Sequence, residues 1–125
     1  MYTINEVEKM YDIPSSTLRF YEKEGILPKI NRNSNGRRIY KEEELEWLEL
    51  VMALKDTGMA LETIKEYLAM SHEGDETLEQ RRSILLEHKQ SVERQLAITL
   101  KHFEKINRKI TLYDVLVLKK EPKDL

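Results

Sequence analysis

The sequence contains no cysteine, so disulfides, thiolate catalysis and cysteine-ligated metal sites are excluded. Helix breakers are scarce: four glycines and three prolines in 125 residues, against 40% apolar and 35% charged residues. That balance favours helices over strands. Long apolar runs are also missing. The longest, Leu50 to Leu54, is far short of the roughly 20 residues needed to span a bilayer. Residues 1–13 carry Glu6, Glu8 and Asp12 where a secretion signal has a cationic start and an apolar centre. The expectation is a mainly α, cytoplasmic protein. Histidine offers little chemistry. His72, His88 and His102 form no cluster with ligand-like spacing, and the last two lie about 21 Å apart along one helix. No glycine-rich phosphate loop and no nucleophile–base pairing is legible. Neither an enzyme, a metal site nor a cofactor is expected.

Charge is unevenly placed. The chain has a net charge of −2. Between Pro14 and Lys41, however, Arg19, Lys23, Lys29, Arg32, Arg37, Arg38 and Lys41 face only Glu22 and Glu24, giving +5. A local basic face on an acidic chain is an electrostatic footprint for nucleic acid.

The local signals place the elements. Thr3-Ile4-Asn5-Glu6 reads as a capping box that opens a first helix ending near Tyr11. Asp12-Ile13 turns the chain, and Pro14 opens a second helix that stops at Gly25. Two short helices around a tight turn make a helix-turn-helix. Its second helix has Leu18 inward and Ser15, Ser16, Thr17, Arg19 and Tyr21 around it, a mixture suited to base edges and phosphates in a major groove. Asn35-Gly36 signals a two-residue hairpin of type I′. The expectation is a two-stranded wing that carries Arg37, Arg38 and Tyr40 to phosphates. A third helix runs from Glu42 to Thr57 with Trp47 half-buried, and a fourth from Leu61 to Met70. A linker lies at 73–76, inside a loop from Ser71 to Glu76.

Thr77-Leu78-Glu79-Gln80 reads as a second capping box, opening a long helix. The positions Leu78, Arg82, Leu85, Lys89, Val92, Leu96, Thr99, Phe103, Ile106, Ile110 and Tyr113 alternate in steps of four and three, a heptad seam. Such a helix, about 54 Å long over 36 residues, cannot bury its stripe on a small domain. It calls for a homodimer through Leu85, Val92, Leu96, Phe103, Ile106 and Ile110. The expected organisation is a winged helix-turn-helix DNA-binding domain at 1–72, the linker at 73–76, a coiled-coil dimerisation helix at 77–113 and a short, frayed tail at 114–125.

Four separated blocks carry a resemblance: Tyr2-Thr3-Ile4-x-Glu6-Val7, Thr17 to Pro28 (TLRFYEKEGILP), Gly36-Arg37-Arg38-Ile39-Tyr40, and Leu54-Lys55-x-x-Gly58-Met59-x-Leu61-x-x-Ile64-Lys65. In order and spacing they resemble the MerR family of bacterial transcription regulators over about residues 2–70. The resemblance implies a homodimer with an antiparallel coiled coil on a near-palindromic site in promoter DNA. There it distorts the spacer so that RNA polymerase meets both promoter elements. It implies DNA contacts from Arg19 and Tyr21 in the recognition helix, from Arg38 and Tyr40 in the wing, and from Lys55 in the next helical pair. Ser16 and Thr17 sit where the family reads bases or phosphates. The segment from Glu73 to Arg81 is similar to the branch that responds to aldehydes and other electrophiles. That branch depends on a cysteine in the third helix, where this chain has Val51-Met52-Ala53-Leu54, so thiol sensing is excluded. Phe20 stands where the family often has Tyr, and Arg37 replaces a frequent wing Tyr. Pro14, Lys41 and Ala60 fall where Ser or Asp caps are usual. No residue pattern names a small-molecule effector. The alternative is an architectural winged-helix DNA binder without an effector, against which the heptad helix argues. A helical adaptor with no DNA role is opposed by the +5 segment.

Overall fold

The computed structural model describes residues 1–120. Its elements are β1 (Tyr2–Thr3), α1 (Ile4–Tyr11), α2 (Ser15–Lys23), β2 (Ile39–Tyr40), α3 (Glu42–Asp56), α4 (Leu61–Glu73), a 3-10 turn (Asp75–Thr77) and α5 (Leu78–Lys120). The chain divides into two compact units, one from Met1 to His88 and one from Lys89 onward.

The first unit is built from local signals. The Thr3 hydroxyl accepts from the Glu6 N–H at 3.2 Å, and the Glu6 carboxylate accepts from the Thr3 N–H at 2.9 Å, so the capping box is formed. Asp12 ends α1 in the left-handed region at φ 54°. Gly25 ends α2 at φ 75°, and Ile26 N–H donates back to the Tyr21 carbonyl at 2.8 Å, the helix-stop geometry that glycine permits. Val7, Leu18, Ile26, Leu48, Val51 and Ile64 are at most 1% exposed and form the centre of the core. Trp47 is half-buried as expected. Its Nε1 donates to the Ile26 carbonyl at 2.9 Å, and its ring stacks on Tyr67 at 5.5 Å.

Several expectations need correction. Pro14 is not the first residue of the second helix but sits at the cap position that the family pattern gave it. It is the N-cap, and the helix begins at Ser15. The wing turn is not type I′, which needs positive φ at both central residues. Among the described non-glycine residues only Asp12 has positive φ, so Asn35 does not qualify. The hairpin instead closes over Asn33–Gly36, with Gly36 N–H donating to the Asn33 carbonyl at 3.0 Å and Gly36 at φ 77°. The reason is Asn33, whose Oδ1 accepts from both Asn35 N–H and Arg37 N–H at 3.0 Å and fixes a longer loop. β2 pairs antiparallel with β1, Tyr2 opposite Tyr40, while Arg32 and Arg38 bridge the two arms of the wing. The α4 helix continues to Glu73, three residues past Met70.

The Thr77 capping box does not form as read. Thr77 is 4% exposed, and its hydroxyl donates to the Met70 carbonyl at 2.7 Å while accepting from Arg81 Nε at 3.0 Å. Its oxygen is occupied by an elbow between α4 and α5. The first turns of α5 belong to this unit. Ile84 and Leu85 pack on the core, and the His88 ring nitrogen lies 2.7 Å from the Thr57 hydroxyl.

The second unit is helix throughout its described length. The α5 helix runs through Tyr113 to Lys120, where a frayed tail was expected from 114. Residues 121–125 of that tail lie outside the described residues. No helix among the described residues is long and apolar enough to cross a membrane.

Candidate nucleic-acid interface

The α2 helix is held by its neighbours on three sides. Its N-terminus lacks a side-chain cap from Pro14, but the Glu8 carboxylate of α1 accepts from the Ser15 N–H. Satisfying an orphan N–H with an anion stabilises the helix start. Leu18 at 0% and Tyr21 at 3% exposure anchor the inner face. At the far end, Arg38 of the wing donates from Nε to Glu22 Oε1 at 2.7 Å, with both side chains largely shielded from solvent. The ion pair ties the wing to α2.

What remains outward is one face. Of the nine residues of α2, the exposed ones are Ser16, Arg19, Phe20 and Lys23. Their i, i+3, i+4, i+7 spacing puts them within an arc of about 100°. Two cations, a hydroxyl and an aromatic ring therefore share one surface. Thr17 is half-buried at the edge, with its N–H on the Pro14 carbonyl at 2.9 Å.

Four of the eight residues expected to touch DNA are exposed: Ser16, Arg19, Arg37 and Lys55. The other four need separate description. Besides the half-buried Thr17, Tyr21 is in the core, and its hydroxyl accepts from Lys55 Nζ at 2.8 Å while the ammonium lies 5.3 Å from the ring centroid. That hydrogen bond favours the charged form and raises the pKa of Lys55. Tyr21 thus positions the Lys55 cation from within the core and is not itself at the surface. Arg38 is half-buried and engaged by Glu22. Tyr40 is 0% exposed, and its hydroxyl has no hydrogen-bond partner among the described residues. Burial pushes its phenol up to about 12, and the Glu22 carboxylate adds to the shift. The ring is a core residue at the base of the wing, in contrast to the surface contact expected of it.

Two surface groups were not singled out as contacts by sequence reasoning, Phe20 and Lys23. Their spacing from Ser16 and Arg19 was the signal. Arg32 completes the wing by donating from Nη1 to the Gly36 carbonyl at 2.8 Å.

On α5, Leu96, Phe103, Ile106 and Ile110 are exposed at 64, 56, 59 and 51%. Val92 is half-buried, and Leu85, expected at the same seam, packs instead on the core of the first unit. Among the described residues no group of three His, Asp or Glu side chains is placed to hold a metal ion.

Comparison with known proteins decides the family. The model for the MerR HTH family of regulatory proteins matches residues 2–71, and the MerR DNA-binding model matches residues 45–100. The chain belongs to the MerR family. AdhR, an HTH-type transcriptional regulator of Bacillus subtilis, is 36% identical to this MerR protein over 84 residues, covering 67% of this chain and 60% of AdhR. The Escherichia coli regulator ZntR is 32% identical over 88 residues, covering 70% and 62%. This chain therefore spans about six-tenths of the length of these curated relatives. HiNmlR, a MerR family regulator lacking the sensor domain and solved in complex with promoter DNA, matches with a TM-score of 0.81 at 34% identity over 90% of each chain. A MerR regulator from Bacillus thuringiensis matches with a TM-score of 0.80 at 38% identity, over 90% of this chain and 98% of that one. The matched models place this chain among the family's DNA-binding regulatory proteins. Its relatives are regulators, not enzymes.

Proposed function

We propose that this MerR regulator binds a near-palindromic promoter site as a homodimer, with one α2 in each half-site, and acts by distorting the DNA between promoter elements so that RNA polymerase meets both. The observation that carries the dimer is the α5 stripe. Leu96, Phe103, Ile106 and Ile110 are each at least half exposed on one helix at seam spacing. Apolar residues repeated in this way are stabilised by a second helix, which removes them from water. Two-fold symmetry of the protein then matches two-fold symmetry of the operator.

Bending or untwisting a promoter spacer costs about 1–6 kcal/mol by elastic estimates. Phosphate contacts from Arg19, Lys23, Arg37 and Lys55, doubled by the dimer, offset that cost. Arg38 and Glu22 hold the wing in register with the helix. The site of action is the cytoplasm, where the promoter is.

The test replaces the seam. Leu96→Asp or Phe103→Asp places a carboxylate in the dimer interface. Sedimentation is expected to show monomers with an intact helical spectrum, and gel shifts are expected to show poor operator binding. A stable dimer in both variants overturns the seam assignment.

A further inference from the structure

Phe20 is the largest apolar side chain on the exposed face of α2, at 47% exposure. One edge of the ring meets Tyr21, with centroids 6.3 Å apart and the planes tilted by 51°, while Leu18 and Tyr21 fill the inner side of the helix and leave about half of Phe20 open to solvent. It stands one turn beyond Ser16 and is flanked by Arg19 and Lys23. A bare phenyl ring within a polar, cationic face has no hydrogen bond to offer a phosphate and none to offer a guanine, adenine or cytosine edge. Placed against those polar edges it would strip their water without replacing it. The major groove has one apolar feature on unmodified bases, the C5 methyl group of thymine.

We propose that Phe20 is a base-reading residue whose ring packs on a thymine C5 methyl group in each operator half-site. The proposal rests on the reading of α2 as the helix that enters the major groove. Arg19 and Lys23 draw the helix onto the strand, Ser16 supplies a polar contact one turn back, and Phe20 distinguishes thymine from the other three bases at a single position. The chemistry recognised is a methyl group, so deoxyuridine, which differs from thymidine only by that group, is the discriminating ligand.

The experiment uses the full chain and a duplex recovered by it from a random DNA library. Each thymine of one half-site is replaced in turn by deoxyuridine, with the symmetric position replaced together with it. Wild-type protein is expected to lose about four- to fifteenfold in affinity at one position and little at the others, the scale of withdrawing one or two buried methyl groups. Phe20→Ala is expected to lose a similar factor on the thymine duplex and nothing further on the deoxyuridine duplex. Phe20 is half exposed and outside the core, so the variant folds, which its circular dichroism and melting temperature check. Three results overturn the proposal. Phe20→Ala could bind unchanged. It could lose affinity while no deoxyuridine has any effect, which assigns the ring to the sugar-phosphate backbone. Or the two losses could multiply, which makes them separate contacts. Failure to recover any duplex overturns the operator reading itself and this inference with it.

Discussion

Removing the Glu22–Arg38 ion pair should loosen the wing from the recognition helix by an amount the geometry constrains. The pair is 2.7 Å long, and its side chains are 15% and 20% exposed. A solvent-exposed pair contributes about 0.2–1 kcal/mol. Removing one partner of a fully buried pair costs about 3–5 kcal/mol. A pair this shielded lies between, and Arg38→Met, which keeps most of the stem and deletes the charge, is expected to cost about 1.5–3 kcal/mol. Urea unfolding of the wild type, Arg38→Met, Glu22→Gln and the double variant gives the coupling, expected at about 1–2 kcal/mol. It should survive high salt, because shielded pairs are screened less than exposed ones. DNA affinity gives a second reading with an opposed sign. Deleting an acid from a DNA-binding surface should by itself strengthen phosphate binding. If Glu22 positions the wing, Glu22→Gln weakens it. A coupling below about 0.3 kcal/mol, within the scatter for independent sites, or a gain in affinity, would refute the claim that the pair sets the wing.

Thr3→Ala should cost about 0.5–2 kcal/mol by removing the N-cap of α1. The Thr3 N–H holds the Glu6 carboxyl below the usual carboxylate range, so this contribution is present above the unfolded pKa and fades as pH falls through the folded one. Thermal melts taken from neutral to acid pH should therefore lose stability more steeply in the wild type than in Glu6→Gln. Tyr11 donates to Glu49 Oε1 at 2.8 Å, which pushes its phenol from the ordinary 10.0 up to about 12. Stability from this group is fully present below 10.0 and is lost as pH rises toward 12. Ultraviolet titration of the tyrosinates should show one group in Glu49→Ala ionising earlier than in the wild type, and an unchanged titration would remove the hydrogen bond from the account.

Signals that lie within a few residues of each other were legible. The Thr3–Glu6 box and the Gly25 stop need only neighbouring atoms, so sequence and structure agree on them. The four family blocks located the helices of the first unit in the same way. What failed depended on atoms brought from elsewhere. Glu8 caps α2 from another helix, a partnership separated by seven residues that no capping pattern encodes. Asn35-Gly36 looked like a two-residue turn because the pattern ignores Asn33, whose carboxamide oxygen takes two backbone N–H groups. Thr77 has the right sequence for a cap, but its hydroxyl is captured by α4 and Arg81. At the interface, Arg19, Arg37 and Lys55 were readable as surface cations. The inward turn of Tyr40 and the ion pair of Arg38 were not, because side-chain direction at the base of a wing is set by packing against the core.

The salt dependence of binding, measured with stoichiometry on a library-selected duplex, tests the central claim most directly. Each chain exposes Arg19, Lys23, Arg37 and Lys55 at the candidate interface. If six to eight of these cations in a dimer neutralise phosphates, the slope of log K against log salt is expected at about −5 to −7. The account predicts that slope with two chains per duplex and protection of one inverted repeat. One chain per duplex, or a slope near zero, would contradict it.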